Sequence, residues 1–139
     1  MNINDVKENE VEFEGDMLEA IFNRQRELME KYHKIEEENG LLQTDKVPVD
    51  INSAHGQARL KDFAWRVTEE IGEAMNTLKN KPWKRTQMDT DVNHYLEEIA
   101  DAFHFFIELC ILSGFDAKSL TNIYLKKSRV NQFRQRSFY

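Results

Sequence analysis

One cysteine in 139 residues, Cys110, excludes an intrachain disulfide, so nothing covalent staples this fold. Two prolines and five glycines are too few for a low-complexity or turn-dense all-β chain. No apolar run approaches the ~20 residues of a membrane span, and the acidic N-terminus is unlike the basic start of a signal peptide. No internal repeat is evident. These absences lead us to expect a protein of the reducing cytoplasm with no membrane partner. What the chain does have is charge, 32% of residues, beside 40% apolar residues, the mixture of a helical globular protein. Its length suits one domain and is short for two.

The net charge of −6 is unevenly spread. Residues 116–139 hold Lys118, Lys126, Lys127, Arg129, Arg134 and Arg136 against Asp116 alone, a balance of +5 that leaves −11 on the rest. An acidic body with one short basic element is poorly suited to nucleic acid. It suits an anionic ligand held through metal on one side and by cations on the other.

Apolar periodicity predicts four helices after a flexible acidic segment, residues 1–15. The first spans residues 16–39, with Met17, Leu18, Ile21, Leu28, Tyr32 and Ile35 on one face and Asn39-Gly40 as its stop. Gln25 sits on that seam, where an apolar residue is expected. Residues 40–56 show no periodicity and read as a loop. The second helix spans 57–80, with a stripe of Leu60, Phe63, Ala64, Val67, Ile71, Ala74, Met75 and Leu78. A connection with Pro82 and Trp83 leads to a third helix over 91–113, whose core face is Val92, Tyr95, Leu96, Ile99, Phe103, Phe106 and Cys110. From Ala102 onward it is apolar nearly all round, and a helix apolar on every side must be buried on every side. Four helices in one chain can hardly do that, so an oligomer is expected, most simply a homodimer. The fourth helix runs from about Asp116, its N-cap, to Arg134 or beyond, with Lys127, Asn131 and Arg134 on one face. The expected fold is an all-α helical bundle over residues 16–139, completed by oligomerisation.

Two carboxylate pairs, Glu70-x-x-Glu73 and Glu98-x-x-Asp101, carry the chemistry. Residues three apart on a helix lie about 60° apart around the axis, so each pair projects from one flank. Like charges at 4 Å repel by roughly 1 kcal/mol in water and about 4 kcal/mol at an effective dielectric near 20. Folding alone gives no reason to gather two such pairs. A divalent cation turns the repulsion into binding, and an all-oxygen donor set suits Mg²⁺, or Mn²⁺, ions that often work on phosphates. Glu73 is the first candidate to accept a proton from an attacking water.

The stretches FNRQRELMEKY (22–32), EEIGEAMNTLKNKPWK (69–84), EEIADAFHFFIEL (97–109) and YLKKSRVNQFRQRSFY (124–139) extend this pattern. Together they resemble the all-α nucleoside triphosphate pyrophosphohydrolases, the MazG-like group, and within it the dimeric dUTPase branch that also contains phage dCTP/dUTP pyrophosphatases. The resemblance covers residues 16–139. It implies Mg²⁺ held by Glu70, Glu73, Glu98 and Asp101 as the catalytic and metal residues. It also implies cleavage between the α- and β-phosphates of a deoxynucleoside triphosphate, most simply dUTP, to the monophosphate and pyrophosphate. Lys127, Asn131, Arg134 and Tyr139 would meet sugar and phosphates, while Gln25, Asn76 and Trp83 would lie near the base. Ser128 and Phe138 depart from the family's usual Asn and Gly, which leaves the metal site intact and weakens strict uracil selectivity.

Other readings compete. Gln25 reads equally as an interhelical register device. His104 reads as a structural hydrogen-bonding residue, and Trp83 as a hydrophobic cap. A carboxylate-bridged di-iron bundle requires Glu-x-x-His on two helices. Here the third helix offers Asp101-x-x-His104 and the second has Asn76 where its His should stand, so that reading is set aside. A non-enzymatic helical interaction module explains the apolar third helix but not the paired carboxylates. A broader pyrophosphohydrolase remains the nearest alternative.

Overall fold

The computed structural model describes residues 2–7, 11–40 and 46–137, and those residues form helices without a strand. The four main helices are α1 (Met17–Glu38), α2 (Ala54–Asn76), α3 (Val92–Leu112) and α4 (Ala117–Arg136). Each begins on a residue whose side chain accepts the backbone N–H three residues on. Asp16 takes that of Glu19, Ser53 that of Gly56, Asp91 that of His94, and Asp116 that of Ser119. Such caps satisfy one of the donors every helix start leaves open. Gly40 and Gly114, at φ 77° and 92°, take the left-handed turns that follow α1 and α3. Tyr139 lies outside the described residues.

Helix α2 starts and ends earlier than periodicity predicts, at Ala54 rather than Gln57 and at Asn76 rather than Asn80. The early start depends on Gly56, where a Cβ would fall on the Asp50 carbonyl oxygen. Glycine stands there because nothing larger fits. At the other end, Thr77 caps the helix and Asn80 turns to close the connection. Its Nδ2 donates to the Met88 carbonyl and its Oδ1 accepts the Met88 N–H, both at 2.8 Å.

Helix α3 is the central element. It packs along α2 on one side and against α1 on another, and α4 packs lightly on α1. A single 3-10 turn, Ile3–Asp5, sits against its first turns. There the Ile3 N–H donates to Glu97 Oε1 at 3.2 Å and Asn93 Nδ2 donates to Asn4 Oδ1 at 2.9 Å. The core joins Phe22 and Met29 of α1, Phe63 of α2, and Ile107, Cys110, Ile111 and Leu112 of α3. Val49 completes it, its N–H held by the Leu112 carbonyl at 2.9 Å. Residues 46–53 are therefore pinned to the end of α3.

The face of α1 that enters this core is not the predicted one. Phe22, Gln25 and Met29 are buried, whereas Met17, Ile21, Tyr32 and Ile35 are exposed, Met17 by 73%. At 100° per residue the buried face is turned by roughly 80° from the predicted stripe. On α3, likewise, Val92, Leu96, Phe103 and Phe106 of the predicted core face remain exposed, while Ala102, Ile107, Ile111 and Leu112 go inside. Both helices thus bury one apolar face within the chain and leave a second open. No side chain of α4 is buried.

Candidate functional site

The two carboxylate pairs come together because α2 and α3 pack against each other. Oxygens of Glu70, Glu73 and Glu98 lie within 4.8 Å of one another. Among them Glu98, like Glu70, is half-buried. Its Oε1 is hydrogen-bonded to His94 Nε2 at 3.1 Å, one helical turn away, and its Oε2 is buried with no hydrogen-bond partner. A buried acceptor facing other carboxylates and no donor is what a bound hard cation satisfies, so these residues fit Mg²⁺.

Charge crowding is visible in the acidities. Burial pushes the Glu70 carboxyl up to about 7, helped by contact with Glu98 and by the charges of Glu73 and Asp101. Glu73, though exposed, is raised first by its contact with the Glu98 carboxyl and then by that group's charge. Asp101 is raised by desolvation and by the Glu98 charge. Asp101 stands outside the 4.8 Å cluster but within its electrostatic reach.

The remaining sequence candidates are distributed around this centre. Gln25 is buried on α1, with its Nε2 donating to Glu108 Oε2 at 3.3 Å. Asn76 is exposed at the last turn of α2. Trp83 lies 76% exposed in the following connection, with the Lys81 ammonium 5.4 Å from its ring. Lys127, Asn131 and Arg134 are exposed on α4, a helix that packs on α1 and so is not gathered with the carboxylates inside one chain. His104 donates from Nδ1 to the Ala100 carbonyl at 2.8 Å, the structural role read for it.

Two residues escape the sequence reading. His94 reaches Glu98 only because residues four apart share a helix face. Glu108 is the single acid in the apolar stretch 102–112, yet it is 7% exposed. Burial pushes its carboxyl up to about 7 against the opposing pull of Arg66 and then Arg59. Both guanidiniums also lie over the Phe63 ring, 4.5 and 4.8 Å from its centroid. A lone charge in an apolar run was the available signal.

A family model described as dUTPase matches residues 17–111, more than half of the chain, including α1, α2 and nearly all of α3. No curated protein and no solved structure matches the chain.

Proposed function

The chain belongs to the dUTPase family, and from that premise we propose that it hydrolyses dUTP to the monophosphate and pyrophosphate in a Mg²⁺-dependent reaction. The observation that carries this reading is the meeting of Glu70, Glu73 and Glu98 around the orphaned Glu98 Oε2. These three residues, with Asp101 beside them, would hold Mg²⁺. When bound there, the ion would neutralise phosphate oxygens, lower the pKa of a water and ease departure of pyrophosphate.

The chain's own residues supply the rest. Water attacks the α-phosphorus, the bond from that phosphorus to the bridging oxygen breaks, and pyrophosphate leaves with the electron pair. Glu73, the most open carboxylate of the cluster, would accept the proton the water loses. His94 holds Glu98 by its Oε1, fixing the carboxylate's orientation. Lys127 and Arg134, which α4 holds away from the carboxylates of its own chain, would serve the site of a second copy, Arg134 with a bidentate fork for phosphate, and Asn131 would donate and accept at a sugar hydroxyl there.

The test is pyrophosphate release from a panel of eight nucleoside triphosphates, with Mg²⁺ and with EDTA. Release from dUTP alone, abolished by EDTA and restored by Mg²⁺ or Mn²⁺, is the expected result. Comparable release from dCTP or from many bases would replace the dUTP reading with a broader pyrophosphohydrolase. No metal-dependent release from any would leave the interaction module.

A second copy of the chain is the partner that best fits its surface. The stripe of α1 (Met17, Ile21, Tyr32, Ile35) and that of α3 (Val92, Leu96, Phe103, Phe106) lie exposed, and a second copy would cover them. The Phe103 and Phe106 rings stack at 6.4 Å while both are about two-fifths exposed. Light scattering at assay concentration should return a mass at least twice 16.5 kDa. A single-chain mass would leave the proposed homo-oligomer without support.

A further inference from the structure

The two oxygens of Glu98 meet different surroundings. Oε1 is hydrogen-bonded to His94 Nε2 at 3.1 Å, whereas Oε2 is buried without a hydrogen-bond partner. The Glu98 side chain is 14% exposed and the imidazole 54%, so the ring sits at the rim of the carboxylate centre. An ionised carboxylate accepts only, so Nε2 carries the hydrogen and Oε1 is the oxygen already engaged. The helix start builds this contact. Asp91 accepts the His94 N–H at 3.1 Å, which fixes His94 in the first turn of α3, and Glu98 follows four residues on along the same face.

A carboxylate can meet a cation with one oxygen or with both. Ca²⁺ gathers roughly six to eight oxygens in a loose shell and accepts a two-oxygen carboxylate readily. Mg²⁺ demands a near-ideal octahedron, keeps several waters in it and is served by single oxygens. We propose that His94 is a positioning residue that sets which divalent ion the carboxylate centre prefers. By holding Oε1 it leaves Glu98 one oxygen to give, which suits Mg²⁺ and denies Ca²⁺ the two-oxygen grip. This assignment rests on the metal reading above and adds the choice of ion to it.

The test is the rise in melting temperature when Mg²⁺, Mn²⁺ or Ca²⁺ is added to chelator-stripped protein at pH 8. It is run alone and with the uncleavable α,β-imido-dUTP, and read as a dissociation constant for each ion. Wild type should bind Mg²⁺ more tightly than Ca²⁺. His94→Ala should weaken Mg²⁺ about tenfold and leave Ca²⁺ unchanged or tighter, so the Mg²⁺:Ca²⁺ preference falls by at least that factor. Mn²⁺, which also takes octahedral oxygen sites, should follow Mg²⁺. His94→Gln, whose side-chain N–H can serve Oε1 from the same position, should keep most of the preference. The imidazole is half exposed, so neither change opens the core.

A wild type that prefers Ca²⁺, an unchanged preference in His94→Ala, or equal weakening of all three ions would overturn the assignment. So would a His94→Gln variant as impaired as the alanine one, since the hydrogen bond would then not be what selects. Wild type that binds no ion, with or without the analogue, would sink the Mg²⁺ reading itself. Ions bound with the expected preferences but no pyrophosphate release would sink the hydrolase reading and leave the role of His94 standing.

Discussion

Glu70→Gln should lower kcat/KM for pyrophosphate release by more than about 100-fold, while making the metal-free protein melt at a higher temperature at pH 8. The two effects share one cause. Glu70 is crowded by Glu98, Glu73 and Asp101, and its carboxyl is pushed up to about 7 from an ordinary 4.5. In the unfolded chain the proton leaves near the ordinary value. The folded, metal-free protein thus binds this proton more tightly than the unfolded chain does. The resulting stability is fully present below about 4.5 and is lost as pH rises through about 7. Wild type in EDTA should therefore gain melting temperature as pH falls from 8 towards 5, and the amide should flatten that slope. Glu73, Asp101 and Glu108 are raised in the same direction and will leave a residual slope in the variant. Mg²⁺ should raise the wild-type melting temperature at pH 8 and do little for Glu70→Gln. A variant that stays active, or that melts lower than wild type in EDTA, would remove the cation from this site.

Phe63→Ala should cost about 3–5 kcal/mol of folding stability, a large share of the roughly 5–15 kcal/mol a domain possesses. Phe63 is 2% exposed and sits where α2 meets the core. Its ring lies 6.3 Å from that of Phe105, tilted by 57°, under the guanidiniums of Arg59 and Arg66. Truncation removes the apolar contact, leaves a void and takes away the surface on which both cations rest. Those cations act on Glu108, so its surroundings change as well. Urea unfolding followed by circular dichroism would measure the cost, with the midpoint falling at nearly constant m. A loss below about 1 kcal/mol would mean that this ring is not packed as described.

The carboxylate centre was legible in sequence because its geometry is mostly local. Spacing of three along a helix puts Glu70 beside Glu73 and Glu98 near Asp101 whatever the rest does, and only the pairing of α2 with α3 had to be supplied. The four helices were legible for the same reason, with starts read at residues 16 and 91 and a polar cap read at Asp116. The orientation of α1 was not. Its sequence offers two apolar faces, one with Met17, Ile21 and Tyr32 and one with Phe22 and Met29, and periodicity cannot say which meets α3. The early start of α2 was not legible either, since the value of Gly56 lies in a close approach to Asp50 that no periodicity encodes. Glu108 was overlooked because the meaning of one acid in an apolar run depends on what faces it. Gln25 arrives from α1, and Arg59 and Arg66 from α2.

The central position of α3 also sets an order of difficulty for folding. Glu70 and Glu98 are 28 residues apart along the chain, whereas Gln25 and Glu108 are 83 apart. Closing the longer loop costs roughly 1 kcal/mol more in chain entropy, and it also requires α1 to dock. The acidic centre thus belongs to the low-contact-order hairpin of α2 and α3, and its mutual repulsion weighs on the chain's most local tertiary step. The amide–carboxylate contact belongs to the non-local step that brings in the first helix. Where the hairpin forms first, a counter-ion there should change the folding rate, and changes at Gln25, whose contact would then close later, should act chiefly on the unfolding rate.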